Sequence, residues 1–314
     1  MNDRYEPPKS GRARFAASAA RSATIAALER QPGGHALRSR LFTGLLFAAV
    51  SIALLGLALI LVDAFLEGKG KLSSGLITGS TSSNAAEAGF QQAIIGTLYL
   101  IGFVILMVVP LGIGAAIYLE EYANNERRVN RLIEVNIQNL AAVPSIIYGI
   151  LGLAFIVRGP LDLGFILFAG SMTLALLVLP TVIIASREAI RAVPRSIREG
   201  SLALGATEWQ TIRRQVLPAA VPGMLTGIIL AISRAAGEAA PLLLLGAATF
   251  VTFNPEPFAD TGWTALPVQI FQYAARPQEE IREVAAAGII LMLGVLLLMN
   301  SFAIWLRNRY EQKW

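Results

Sequence analysis

The chain has 314 residues, of which 55% are hydrophobic and 15% are charged, and its formal net charge is +5. An average soluble domain carries about 25% charged residues, so this composition argues against an ordinary soluble domain and favours an integral membrane protein. The chain contains no cysteine and a single histidine, His35, which excludes a disulfide framework and a Cys/His metal cluster.

The first 40 residues form a basic leader with eight Lys/Arg residues and no long apolar run. A cleavable signal peptide would combine a short apolar stretch with a small-residue cleavage site, whereas this leader meets an apolar segment of 22 residues. We therefore predict a disordered cytoplasmic leader over 1–40, followed by an uncleaved transmembrane helix and an outside loop over 41–87. A membrane-surface or nucleic-acid role for the leader is an open alternative.

Six apolar segments are long enough to cross the hydrocarbon core, which requires roughly 20 residues of helix. They span Leu41–Val62, Ala88–Leu119, Val135–Val157, Leu163–Ser186, Met224–Phe250 and Val284–Leu306. A buried strand would end after about four to eight residues, so the segments predict an all-α integral membrane protein with six transmembrane helices. The last five helices would form a core over 88–310, followed by a short tail at 311–314.

Lys and Arg residues are distributed unevenly between the two sides of these helices. With the N-terminus in the cytoplasm, the inside segments hold 20 Lys/Arg residues and the outside segments hold 5. Because the cytoplasmic loops of membrane proteins carry the excess of these residues, both termini are predicted to be cytoplasmic.

Features of the second and third predicted helices allow more than one interpretation. Glu120 and Glu121 end the second helix, either as a solvated interfacial cap or as a contact for a partner subunit. Pro144, Gly149 and Gly152 lie near the start of the third helix. Proline can kink a helix and glycine allows close helix contact, so these three residues are candidates for a hinge or for tight packing.

The cytoplasmic segment 187–222 has a helical pattern of its own and is too long for a simple connection. Pro194 suits the first turn of a helix, and Gly205 is a suitable C-terminal cap. Thr207 is a good N-cap for a second helix that ends near Leu217. This pattern predicts either a knob that docks into a groove of a partner or a helix pair that lies on lipid headgroups.

The fifth predicted helix contains two charged residues, Arg234 and Glu238, four positions apart on one face. An ionised group at membrane depth costs about 2.5–3.5 kcal/mol on insertion scales, so such residues are candidates for a functional site. Arginine offers a planar set of donors that binds phosphate oxygens bidentately. The pair is therefore either part of a path for an anion or a salt bridge that only holds helices together.

The chain lacks the sequence motifs of nucleotide-binding loops, zinc metalloproteases and serine hydrolases. The chain has no G-x-x-x-x-G-K-[ST] loop for nucleotide phosphates and no H-E-x-x-H or G-x-S-x-G pattern. An intramembrane enzyme would also need paired carboxylates, a histidine or a metal-ligand set within the spans, and none of these is visible in the apolar segments. We therefore expect a subunit that is not an enzyme and that depends on a partner chain for energy.

Several segments together resemble one family of transporters. Spacing within the cytoplasmic segment resembles the coupling loop of ABC-importer permeases, with Gly200 and Ser201 at positions where that loop usually has alanines. The spacing of Glu199, Gly205, Leu217 and Pro218 carries this resemblance. The residues assigned to the coupling loop are Glu199, Gly200, Ser201, Gly205, Ala206, Leu217 and Pro218. Tyr118–Ala123, Ala141–Leu153 and Ser233–Ala247 resemble the phosphate-specific importers, and most closely their A-type permease subunit.

The resemblance implies a type I ABC-importer permease fold and a transmembrane subunit of an ATP-driven phosphate importer in the bacterial inner membrane. It implies a homologous permease as heterodimer partner, two ATP-binding subunits that hold ATP-Mg, and a soluble phosphate-binding protein outside. The loop would insert into a cleft of the ATPase. Arg234 and Glu238 would lie on the substrate path, and no cofactor is expected on this chain.

Two other functions are open. The chain could instead belong to an importer for another oxyanion, such as molybdate or sulfate, because the coupling loop would look similar. It could also be a membrane scaffold or sensor subunit that transports nothing. Only the region of Arg234 and Glu238 and the outside face distinguish between substrates.

Overall fold

The computed structural model describes residues 33–123, 127–247, 251–259 and 262–310. The predicted tail and all but the end of the predicted leader lie outside these ranges. The described residues are helical apart from their connections and an isolated bridge between Ala247 and Trp263. The all-α prediction is therefore confirmed.

Twelve α-helices run through the described part of the chain. They are α1 (Gly33–Gly68), α2 (Ser74–Thr78), α3 (Gln91–Ile117), α4 (Arg128–Ala141), α5 (Ser145–Leu151), α6 (Leu167–Arg191), α7 (Arg195–Ala203), α8 (Glu208–Thr211), α9 (Leu217–Gly237), α10 (Ala240–Leu244), α11 (Leu266–Ala274) and α12 (Glu279–Tyr310). Short π-helical turns prolong α3, α5 and α8, over Tyr118–Tyr122, Gly152–Val157 and Ile212–Val216.

The number of candidate membrane spans agrees with the sequence. Five helices are long and apolar enough to cross a membrane, and the bent pair of α4 and α5 makes a sixth if it is taken as one span. Residues up to Val62 form one unit, and residues from Asp63 onward form a second. In the first unit, the apolar side chains of α1 are exposed, as expected of a helix that faces lipid.

The core of the second unit is built from α3, α6 and α9. Helix α6 packs between the other two, and α12 packs against α9 and α11. The side chains that meet there are apolar and fully buried, including Val104, Val178 and Ala231. This packing fixes the positions of the ends of α3, α6 and α9, where the charged residues of the candidate sites lie.

The third predicted span is not one continuous helix. Helices α4 and α5 meet at 107°, and Pro144 lies at the bend with an extended ψ of 138°. Proline restricts the preceding residue to extended backbone, so the chain turns instead of continuing as a helix. The prediction of a single helix over Val135–Val157 was therefore wrong.

The fifth predicted span is displaced toward the N-terminus, because the structure has one helical span of 30 residues over Glu208–Gly237. The loop helix predicted to end near Leu217 therefore continues into α9. Helix α9 ends at Gly237, Glu238 has an extended backbone, and α10 begins only at Ala240. The ring of Pro241 would clash with the carbonyl of the residue four positions earlier, which is Gly237. The expected helix over Met224–Phe250 is thus interrupted at Glu238, the second residue of the charged pair, and 248–250 lie outside the described residues.

Buried hydrogen bonds organise the side predicted to face outside. The Gln269 side chain donates to the Gly89 carbonyl at 2.8 Å and to the Tyr273 hydroxyl at 3.1 Å. The Tyr273 hydroxyl also accepts from the Ser82 N–H at 3.2 Å. Burial raises the pKa of Tyr273, so its phenol stays protonated and keeps this role at physiological pH.

Candidate functional site

The cytoplasmic helix pair adopts the local structure that its sequence predicts. Helix α7 begins directly after Pro194, and Gly205 has a φ of +84°, a left-handed conformation that favours glycine. Thr207 and Gln210 form a capping box, in which each side chain accepts from the other residue's N–H, at 3.3 and 3.0 Å. The predicted cap residues are confirmed.

The residues that match the coupling-loop spacing fall into two groups. Glu199, Gly200 and Gly205 are exposed, and Leu204 beside them is 91% exposed. The Ser201 and Thr211 hydroxyls lie 2.8 Å apart and join α7 to α8. A groove of roughly 400 Å³ between these helices is lined by Ile197, Gly200, Ser201, Leu204 and Ala206, among other residues.

Leu217 and Pro218 form the second group. They lie away from the exposed unit of α7, Gly205 and α8, which is called the knob below. Both residues are partly buried at the start of α9, and Leu217 packs against the apolar cluster around Val216 and Ala220. The glycine turn is therefore exposed, on the side that the charge distribution predicts to be cytoplasmic, and the end of the motif fixes the loop to α9.

Beside the knob lies an ionic cluster that the sequence did not predict. Glu120 accepts from Arg191 through both carboxylate oxygens, at 2.9 and 3.0 Å, and lies 3.4 Å from Arg187. Arg187, whose side chain is only 8% exposed, also pairs with Glu134 of α4 at 3.1 Å. Glu120 and Glu121 are therefore not simply solvated caps, because each is paired with an arginine side chain, and their contact with a partner subunit stays a prediction.

The signal for this cluster was present in the sequence only as separate charges. Glu120 and Arg187 are 67 positions apart, and Glu121 and Arg198 are 77 positions apart. No helical period links residues at such separations, so their pairing depends on the packing of α3 against α6. Only the acidic pair at the end of an apolar segment could have pointed to it.

Arg234 and Glu238 lie at the interruption between α9 and α10. Arg234 Nε is 3.5 Å from a Glu238 carboxylate oxygen, and the side chains are 47% and 20% exposed. One turn of α9 therefore carries the arginine while the carboxylate lies just beyond the last helical residue. An accessible arginine with a long ion pair can exchange its carboxylate partner for an anionic ligand.

The two interrupted helices pack against each other near this pair. A Cβ placed on Gly149 would lie 2.7 Å from Pro241 Cα, so only glycine permits this contact between α5 and α10. A Cβ on Gly152 would lie 2.3 Å from the Thr173 hydroxyl oxygen. The geometry gives these glycines a packing role, and whether Pro144 acts as a hinge stays a prediction. Interrupted helices at membrane depth are typical of transporter binding sites.

The sequence analysis did not predict a further polar contact between two candidate membrane spans. The Ser233 hydroxyl, next to Arg234, lies 2.7 Å from the Ile229 carbonyl and within hydrogen-bond distance of the Asn300 side chain in α12. An amide in an apolar helix such as α12 is a signal that sequence reading could have used. This contact links the turn that carries Arg234 to the last helix.

Comparison with protein families gives a match over residues 108–312 to the model of the binding-protein-dependent transport system inner membrane component. The chain is 35% identical over 268 residues to the phosphate transport system permease protein PstA of Haemophilus influenzae, covering 84% of this chain and 92% of that protein. It is 36% identical over 271 residues to PstA of Yersinia pestis, covering 85% and 88%. It is also 33% identical over 252 residues to the probable ABC transporter permease protein YqgI of Bacillus subtilis, covering 79% and 82%.

Solved structures resemble the fold at lower identity. A chain of a bacterial alginate ABC transporter aligns with a TM-score of 0.63 and 18% identity, covering 85% of this chain and 93% of that chain. A chain of the MetNI methionine ABC transporter aligns with a TM-score of 0.55 and 18% identity, covering 70% and 94%. These similarities concern the fold alone.

Proposed function

The chain belongs to the family of binding-protein-dependent transport system inner membrane components. We propose that it is the permease subunit of an ATP-driven importer of inorganic phosphate. The chain is a multi-pass permease component of the inner membrane, which is a non-catalytic class of ABC transporter subunit. Phosphate as the substrate is supported by the names of relatives that align over most of the chain.

The observation that carries the substrate assignment is the position of Arg234. It lies at the interruption of α9, half exposed, with Glu238 at 3.5 Å as its carboxylate partner. Phosphate must lose part of its hydration to cross the membrane, and a guanidinium replaces water with two parallel charge-assisted hydrogen bonds. Glu238 would pair with Arg234 when no anion is present, and this competition would keep anion binding weak enough for release.

The energy of ATP hydrolysis would reach this chain through the knob formed by α7, Gly205 and α8. Two ATP-binding subunits, which hold ATP-Mg, would dock on the exposed residues of two such loops. One loop would come from this chain and the other from a homologous permease in a heterodimer. A soluble phosphate-binding protein would deliver the anion on the outside. The exposed Leu204 and the groove beside Gly200 and Ser201 support a protein partner for this surface.

Uptake of radiolabelled phosphate tests the proposal, in cells that lack their own system but contain the partner subunits. We expect wild type to restore uptake and Arg234→Ala to abolish it without loss of complex assembly. Gly205→Asp should abolish uptake because a side chain is strained at a φ of +84°, and it alone should lose the co-purifying ATPase. Arg309→Ala, which removes an exposed arginine at the end of α12, is the matched control and should retain uptake.

The outcomes separate the candidate functions. A complete complex that takes up no phosphate contradicts the substrate, and molybdate and sulfate would then be tested. Normal uptake by a stably inserted Arg234→Ala variant contradicts the path role and leaves the pair as a salt bridge. If the chain is a scaffold or sensor, its loss should change complex assembly or signalling and leave transport unchanged.

A further inference from the structure

The contacts of Arg198 connect three elements at the cytoplasmic end of the helix core. Its guanidinium Nε and Nη2 both donate to the Glu121 carboxylate, with a shortest distance of 2.7 Å. It also donates to the carbonyl oxygens of Val193 at 2.7 Å and Ile190 at 3.0 Å. Arg198 thus joins α7 to the end of α6 and to the π-helical turn after α3.

We propose that Arg198 and Glu121 are positioning residues, which hold α7 rigidly on α3 and α6 so that movement of a docked ATPase reaches these membrane helices. The proposal rests on the proposed coupling role of the loop, but it is independent of the substrate. The pair formed by Arg198 and Glu121 is called the clamp below.

The clamp has the geometry of a rigid connection. The side chains of Arg198 and Glu121 are 21% and 11% exposed, so water competes little for their hydrogen bonds. Charge-assisted, bidentate pairs at such distances fix orientation as well as distance, which one flexible lysine contact would not do. The two carbonyl contacts use further donors of the same guanidinium and hold the connection between α6 and α7 in one conformation.

The adjacent acids in the π-helical turn over Tyr118–Tyr122 reach different partners. Glu120 pairs with Arg187 and Arg191 of α6, whereas Glu121 pairs with Arg198 of α7. Neighbouring side chains on an α-helix already point about 100° apart, so two adjacent acids can face two different elements. The end of α3 is thereby held by α6 and α7 at once.

The opposite surface of α7 is left for the partner. Gly200 and Leu204 are exposed next to the groove, while Ser201 joins α7 to α8. A force applied at Leu204 therefore acts on a helix that is attached to the core through Arg198. Energetic coupling between distant sites depends on contacts with discrete arrangements of this kind.

Hydrogen–deuterium exchange on the complete complex in lipid nanodiscs tests the clamp. Exchange is followed at 118–122 and at 195–203, with and without ATP plus vanadate to trap the ATPase. In wild type we expect nucleotide to change exchange in both segments. In Arg198→Met, which keeps an unbranched apolar side chain but removes the guanidinium and its charge, the response should persist at 195–203 and disappear at 118–122.

Transport measured on the same preparations gives a second readout. Arg198→Met should retain ATP hydrolysis, but cargo moved per ATP hydrolysed should fall by about 5- to 150-fold, the range of typical allosteric coupling. Arg309→Met removes an exposed arginine at the end of α12, away from the clamp, and is the matched control, with wild-type exchange and stoichiometry. Glu121→Gln preserves the volume of the partner and should reproduce the effect of Arg198→Met.

Three outcomes would count against the clamp, and a fourth concerns the substrate alone. Equal responses at 118–122 in wild type and Arg198→Met would overturn it, as would the absence of a response there in wild type. If neither Arg198→Met nor Glu121→Gln assembles, the pair serves only folding. A wild-type complex that shows the linked exchange but imports no phosphate would refute the proposed substrate and leave the clamp intact.

Discussion

The chain holds its charges in two different ways at its two charged sites. At the interruption of α9, Arg234 has one carboxylate partner at 3.5 Å and is 47% exposed. At the cytoplasmic ends of α3 and α6, Arg187 is 8% exposed and lies between Glu120 and Glu134, at 3.4 and 3.1 Å. The first arginine is loosely held and accessible, whereas the second is enclosed by carboxylates.

This difference separates a binding role from a mechanical one. An anion can replace Glu238 at Arg234 at little cost, because the existing ion pair is long and partly hydrated. Replacing a carboxylate at Arg187 would leave a buried charge without its partner, which is costly. The same residue type therefore serves ligand exchange in one region and rigid connection in the other.

The largest expected effect is on stability, from Arg187→Met. Breaking a buried ion pair by removing one partner costs about 3–5 kcal/mol, and here two carboxylates lose that partner. We expect a clear fall in the melting temperature of the purified complex, measured by size-exclusion chromatography after heating. Arg234→Met should leave the melting temperature almost unchanged, and an equal fall in both variants would contradict the distinction between the two sites.

Arg234→Lys should have the next largest effect, on transport and not on stability. Lysine keeps the positive charge but loses the planar fork that binds two oxygens of one anion. One hydrogen bond to a charged group contributes about 1.5–3 kcal/mol, so uptake at low phosphate should fall by at least about tenfold. Initial rates over a range of phosphate concentrations measure this, with thermal stability as the control. Full activity of the lysine variant would show that charge alone is sufficient.

Local parts of both regions could be predicted from the sequence. Gly205 and Thr207 were assigned as caps because each cap depends on one residue type at one backbone position. The length of the apolar segments predicted the number of membrane helices, because span length is a property of one continuous segment. Arg234 and Glu238 could be paired because four positions separate neighbours on a helix.

The parts that were missed depend on longer-range packing or on a single proline. Pro241 ends α9 by its clash with Gly237, and Pro144 lies at the bend between α4 and α5. Both prolines were visible, but the sequence did not show that each would interrupt the helix and not merely kink it. The pairing of Glu121 with Arg198 required the arrangement of α3, α6 and α7, which no single segment contains.

The smallest effect is expected from Glu188→Gln, at the edge of the ionic cluster. Glu188 pairs with Arg191 at 3.4 Å, one helical turn apart, but the two side chains are 65% and 46% exposed. Water and salt screen such a pair, so its loss should change stability by less than about 0.5 kcal/mol. Melting temperature and uptake should both match wild type. Because Arg191 keeps its two bonds to Glu120 in this variant, a large destabilisation would mean that the cluster depends on its total charge and not on the burial of Arg187.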